Sequence, residues 1–171
     1  MTQENIDISV VVPFYNEGEN AKLLYKELRQ VLDKLNKKYE IIFIDDGSTD
    51  LTFEILRKIN LIDKNFKVIK FRKNFGQTAA LNAGFKYAKG NLIIAMDGDL
   101  QNDPNDIPKL LKKIEEGYDV VSGWRFERKD SIGKKLFSKI SNLLRRKMMN
   151  DQTHDAGCAL KVYKKEAVKE H

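Results

Sequence analysis

Four apolar runs in this chain each stop at a cluster of polar residues, and no other feature constrains the fold as much. Ile8-Ser-Val-Val-Val12 leads into Pro13-Phe-Tyr-Asn-Glu17, and Ile41-Ile-Phe-Ile44 into Asp45-Asp-Gly-Ser-Thr-Asp50. Val68-Ile-Lys-Phe71 leads into Arg72-Lys-Asn-Phe-Gly-Gln77, and Leu92-Ile-Ile-Ala-Met96 into Asp97-Gly-Asp-Leu-Gln101. Each interval has room for a helix, and the intervening segments carry helical spacing, so the rhythm is β-α-β. Nearly continuous apolar strands joined by crossover helices predict a mostly parallel α/β sheet with helices on both faces. Such sheets bind ligands at the carboxyl ends of their strands, which is where the polar clusters fall.

Local signals place the helices. Asn16 is expected to cap a helix in which Leu23, Leu24, Leu28, Val31, Leu32 and Leu35 trace one face. Ser48, Thr49 or Asp50 can cap a helix over Phe53 to Ile62, and Asp103-Pro104 opens one through Ile114. The segment from Gly76 to Ala88 is rich in small residues, so that helix can approach the sheet closely. A fifth strand is expected over Tyr118 to Ser122, running into Gly123-Trp124-Arg125, and a later one over Ala159 to Tyr163. Trp124 is expected to be buried more than Tyr15. The single cysteine, Cys158, excludes an internal disulfide and is expected to be a small buried residue.

Asp97 and Asp99 share one face if the backbone stays extended beyond the fourth run. Two bare carboxylates about 5 Å apart repel by roughly 3 kcal/mol at an effective dielectric near 20, so the pair suits a divalent cation. Mg²⁺ or Mn²⁺ takes one or two carboxylates and completes its shell with water and ligand phosphates. A plain polar turn at Asp97-Gly98-Asp99 is the alternative. Equivalent alternatives hold elsewhere: Glu17 and Glu19 favour a helix N-terminus, and Asp45-Asp46-Gly47 makes a strand-to-helix turn with caps.

The chain of 171 residues suits one domain over 1–171, and its longest apolar stretches are of strand length, which predicts a soluble, cytosolic domain. Net charge is +6, yet residues 125–149 hold nine bases against two acids, so a linear reading assigns the basicity to one segment. Within 132–149, Ile132, Leu136, Phe137, Ile140, Leu143, Leu144 and Met148 share an arc, with most of the bases opposite. That pattern is a basic amphipathic helix, serving either as an ordinary surface helix or as a contact with an anionic membrane. Nucleic acid fits less well, because no aromatic platform interleaves with the bases.

Taken in order, Val11 to Glu17, Asp45 to Asp50, Asn74 to Gly84, Met96 to Gln101 and Gly123 to Arg125 resemble the GT-A domain of family 2 glycosyltransferases. With Asp155-Ala-Gly-Cys158 and the basic helix added, the similarity extends to polyprenyl-phosphate sugar synthases, such as dolichyl-phosphate mannose synthase. The resemblance implies a Rossmann-like GT-A fold and an inverting, metal-dependent transfer of a hexose from a UDP- or GDP-sugar to a polyprenyl phosphate. It places that reaction at the cytoplasmic face of the membrane and implies that such a domain usually continues into interface helices and membrane spans.

Carried over by position, Pro13, Tyr15, Asn16 and Glu17 would bind the nucleotide sugar, with Asp45 and Asp46 continuing that wall. Asp97, Gly98, Asp99 and Gln101 would face the diphosphate, with Asp97, Asp99 and Gln101 toward Mg²⁺ or Mn²⁺. Arg125 would hold leaving-group or acceptor phosphate. Arg128, Lys134 and Ser138 would bind acceptor phosphate, and Asp155 would act as base or orienter, a structural helix cap being its alternative. His154 has no second ligand beside it in sequence. Transfer to a saccharide hydroxyl, a sugar nucleotidyltransferase of the same fold and a non-catalytic basic membrane-binding module remain as other readings; the nucleotidyltransferase lacks its glycine-rich basic loop after the first strand.

Overall fold

The computed structural model describes residues 5–124 and 158–169. Its strands are β1 (Ile8–Phe14), β2 (Tyr39–Asp45), β3 (Phe66–Lys70), β4 (Leu92–Ala95), β5 (Val120–Ser122) and β6 (Lys161–Lys164). They form one sheet in the order β3-β2-β1-β4-β6-β5. The first four strands are mutually parallel, whereas β6 runs antiparallel to both of its neighbours. The mostly parallel sheet expected from the apolar runs is therefore present.

Helices α1 (Gly18–Leu32), α2 (Thr52–Ile62), α3 (Gln77–Tyr87) and α4 (Ile107–Ile114) fill the intervals between strands. Alternation along β1 sends Ile8, Val10, Val12 and Phe14 to one face, where they meet Leu24 and Leu28 of α1, Leu56 of α2 and Leu110 of α4. Val11, with Ile42 and Ile44 of β2, faces the other side against Ala80 of α3. Gly84 is why α3 sits so close: a β-carbon there would lie 2.2 Å from Val11 Cγ1. The small-residue composition of this helix thus serves sheet contact.

The strand order reverses at β1, since β2 and β3 lie to one side and β4 to the other. This is a topological switch point, where open α/β sheets form a crevice. Pro13 helps to open it. The β1–β4 register ends at Val11↔Ala95, with Met96 N–H donating to the Val11 carbonyl at 3.2 Å. By strand alternation Pro13 faces the same side as Val11, and having no N–H it cannot extend that ladder. On the other side pairing continues to Phe14↔Asp45. The β1 and β4 ends therefore part at the residues expected to bind ligand.

Several local expectations need correction. Asn16 does not cap α1: the N-cap is Glu17, without a side-chain cap bond, and Asn16 turns elsewhere. Leu23 is exposed, lying one residue off the stripe that Leu24 and Leu28 bury. Trp124 is 63% exposed, more than Tyr15 at 45%. Asp103 does cap, accepting from Asn105 N–H at 2.8 Å in the 3-10 turn before α4. Cys158 is buried as expected. The basic helix over 132–149 lies outside the described residues, and among those described no helix is long and apolar enough to cross a membrane.

Candidate active site

The end of β1 is locked to the turn after β2. Asn16 has a left-handed backbone (φ 56) that aims its N–H at Ser48 Oγ, 2.9 Å away, and its Oδ1 accepts from Thr49 N–H at 2.8 Å. Glu17 N–H donates to Thr52 Oγ1 at 3.0 Å, while Glu17 Oε2 accepts from the Asn20 amide at 2.6 Å. Asp50 accepts from both the N–H and the hydroxyl of Thr52, and these bonds hold its carboxyl below the usual range. The N-cap of α2 is Leu51, without a side-chain cap bond, so none of Ser48, Thr49 and Asp50 is the cap; Asp50, one residue earlier, fastens the start of the helix through Thr52. Tyr15 projects from this turn, partly exposed.

Asp45 and Asp46 separate in role. Asp45 is fully buried; one oxygen accepts from Ser48 N–H at 3.0 Å, and the other, Oδ2, has no hydrogen-bond partner among the described residues. A buried carboxylate oxygen without a donor is costly and uncommon, which suits a site that takes a donor from a ligand. Asp46 instead spends both oxygens on the loop after β3, accepting from Phe75 N–H and Gly76 N–H at 2.8 Å each. Gly47 (φ +71) lets that loop approach, since a β-carbon there would lie 2.2 Å from the Lys73 carbonyl carbon.

That loop delivers Gln77, the first residue of α3, whose amide donates to Asp97 Oδ1. Gln77 lies within the Asn74–Gly84 motif, yet spacing gave it no role. Its signal was only its place directly after Gly76. Asp97 is half-buried just past β4, and Asp99 is exposed, accepting from Gln101 N–H at 3.1 Å. Between them Gly98 is pressed on Phe14, where a β-carbon would sit 2.4 Å from Cε1. Leu100 is left-handed (φ 61) and turns the chain toward Gln101 and buried Asn102, whose Oδ1 accepts from the Cys158 thiol at 3.6 Å.

Beside Gln101 and Asn102 opens a hollow of about 520 Å³, with Trp124, Val121, Leu110 and Cys158 on its walls. Among the described residues no three His, Cys, Asp or Glu side chains converge as a metal-binding group. β4 ends at Ala95 and the chain bends from Gly98 to Leu100, so the extended course expected to set Asp97 and Asp99 on one face is not kept; an ion at these carboxylates would take its remaining ligands from water and phosphate oxygens. Arg125, Arg128, Lys134, Ser138, His154 and Asp155 all lie outside the described residues.

Residues 9–171 match the model of the family described as glycosyl transferase family 2. The chain belongs to that family. Among curated relatives, the undecaprenyl-phosphate 4-deoxy-4-formamido-L-arabinose transferases of Salmonella choleraesuis and Salmonella newport are each 42% identical over 159 residues, covering 92% of this chain and 49% of the relative. This family 2 chain thus spans about half the length of the curated relatives it matches. In fold it is similar to the mannosyltransferase PcManGT of Pyrobaculum calidifontis in complex with GDP-Man and Mn²⁺ (TM-score 0.67, 19% identity, 96% of this chain and 46% of that one). It is also similar to glucosyl-3-phosphoglycerate synthase of Mycobacterium tuberculosis with Mn²⁺, UDP and glucosyl-3-phosphoglycerate (TM-score 0.71, 18% identity, 94% and 57%). The GT-A fold and the likeness to polyprenyl-phosphate sugar transferases are thereby established.

Proposed function

We propose that this chain is the catalytic part of an inverting glycosyltransferase that moves a sugar from a nucleoside diphosphate to a polyprenyl phosphate. One observation carries the reading: Asp45 Oδ2 is buried without a partner among the described residues at the end of β2, and Asp97-Gly98-Asp99 follows the end of β4, on either side of the switch-point strand β1. A nucleobase N–H would satisfy that oxygen, with Tyr15 and Pro13 at the strand end beside it. The acceptor class is supported by the names of the relatives at 42% identity.

Asp97 and Asp99, with Gln101 adjacent, would hold Mg²⁺ or Mn²⁺. Such an ion neutralises charge growing on the departing diphosphate, and Mn²⁺ accompanies the nucleotide in both solved structures named above. Gln77 and Gly98 set the posture of that pair through the amide bond to Asp97 and the contact with Phe14. Arg125 would add positive charge to the leaving group. Inversion requires attack from the far face of the sugar. A phosphate acceptor is already anionic, so it needs alignment more than a base, and the hollow walled by Trp124 lies beside Gln101 to receive sugar or acceptor. Arg128, Lys134 and Ser138 are assigned to acceptor phosphate and Asp155 to orientation.

A thermal-shift and calorimetry panel of UDP, GDP and their hexoses, with and without Mn²⁺, tests the donor half. One base should raise the melting temperature in a metal-dependent way, and Asp99→Asn should remove the gain. Identical affinity with and without metal would sink the assignment of Asp97 and Asp99. We also assign the 132–149 segment to an anionic membrane surface. Co-sedimentation with anionic liposomes should fall as salt rises, and salt-insensitive binding would remove that role.

A further inference from the structure

The opposite end of the sheet carries a second charged site that no linear window of sequence displays. Every loop entering a parallel strand returns to this end, and antiparallel β6 finishes there as well. Lys37 and Lys38 precede β2, Lys64 precedes β3, Lys67 lies on β3, Lys89 precedes β4, and Lys165 follows β6. All six line one cleft of about 1020 Å³, together with a single acid, Glu40.

Glu40 does not neutralise this set. Its buried carboxylate accepts from the Ser9 hydroxyl and the Lys89 N–H, at 2.6 Å each, and pairs with the Lys67 ammonium. Lys37 reaches Glu115 only at 3.9 Å. Among the described residues the ammonium groups of Lys38, Lys64, Lys89 and Lys165 have no carboxylate within 4 Å, although Asp7 Oδ2 accepts from the Lys38 backbone N–H at 2.8 Å. A concavity lined by one sign of charge focuses its field and concentrates counter-ions.

We propose that this cleft binds an oligophosphate anion, held by Lys38, Lys64, Lys89 and Lys165. Ammonium groups on flexible stems suit a chain of phosphates with many acceptor oxygens and no fixed planar geometry. A base-stacking partner is disfavoured, because Tyr39, the one aromatic on the lining, is buried and donates its hydroxyl to Asp33. The seven-residue strands β1 and β2 separate this cleft from the acidic rim by about 20 Å, so the site is distinct from the donor crevice and needs no metal.

Titration calorimetry with inorganic tripolyphosphate, in chelator and low salt, tests this independently of any transferase activity. One binding event is expected, weakening as salt rises and surviving Asp99→Asn. Lys64→Glu with Lys89→Glu should weaken it at least tenfold, while Lys22→Glu with Lys112→Glu, an equal charge change on α1 and α4, should leave it unaltered. Should charge reversal lower the melting temperature, Lys64→Gln with Lys89→Gln should still weaken binding severalfold. Adenosine triphosphate binding comparably, with adenosine not binding, would identify the phosphate chain as the recognised element. Absence of binding at millimolar tripolyphosphate, equal binding by the double variants, or binding of anionic vesicles alone would overturn the proposal.

Discussion

Asp45 and Asp46 look interchangeable in sequence, yet they end in different situations because successive residues at a strand end face different neighbours. Asp46 clasps the loop at Phe75 and Gly76, so Asp46→Asn, which trades one acceptor for a donor against an N–H, should destabilise by about 1–3 kcal/mol. Denaturant melts would read that loss, and weaker nucleotide binding should accompany it through the displaced loop. Asp45→Asn should do the reverse, costing less stability but at least tenfold in nucleotide affinity, since the orphaned Oδ2 is assigned to the ligand. Equal losses of both properties in the two variants would refute the division. Glu40 offers a pH test. Burial pushes its carboxyl up, but hydrogen bonds from Lys67, Ser9 and Lys89 N–H outweigh burial and hold it below the ordinary Glu value. A lowered folded pKa contributes stability above the unfolded value of about 4.3, and that stability is lost as pH falls through the folded pKa. Melting temperature from pH 7 to pH 3 should therefore drop less steeply in Glu40→Gln. Asp97, Asp99 and Asp45 were legible as candidates because carboxylates at strand ends are a local pattern, and they do follow or close β4 and β2. Gln77 was not, because its bond to Asp97 joins residues twenty apart.

The helices and strands were legible in kind, since hydrophobic period follows backbone geometry whatever lies beyond. Their faces and ends were less so. Leu23 fits a broad apolar arc but falls outside the narrower stripe that α1 buries, and Asn16 lost its expected capping role to Thr49 in the turn after β2, a partner 33 residues away. Two glycines show how elements position the site. Gly84→Ala should push α3 off Val11 and cost about 1–3 kcal/mol by overpacking, measurable by chemical denaturation. Because Gln77 heads the same helix, metal-dependent nucleotide binding should weaken with it. Gly98→Ala sets a methyl against the Phe14 ring and should displace the Asp97-Asp99 turn; truncation in Phe14→Leu should partly restore nucleotide binding, read by calorimetry. No restoration in the double variant would show that the contact does not set the posture of the turn.

Among the described residues, two groups of like charge lie at opposite ends of one sheet, although Arg72 and Lys73 follow β3 at the acidic end. Acids from the β1, β2 and β4 ends gather where strands finish, and lysines from separate loops gather where they start. A parallel sheet makes this division possible, because all entry loops share one edge and all exit loops the other. Reading charge along the chain assigned the basicity to residues 125–149, a segment outside the described residues, and passed over six lysines spread from 37 to 165. The order of residues was enough to fix the β-α-β rhythm, the family motifs and the acidic pair after β4, because each is written within a few consecutive positions that obey backbone periodicity. Which aspartate keeps an unsatisfied oxygen, which glutamine steadies the acidic pair and where the lysines meet were settled only by chain folding. Those contacts join residues tens of positions apart, and strand order with loop convergence, rather than any local pattern, brings them together.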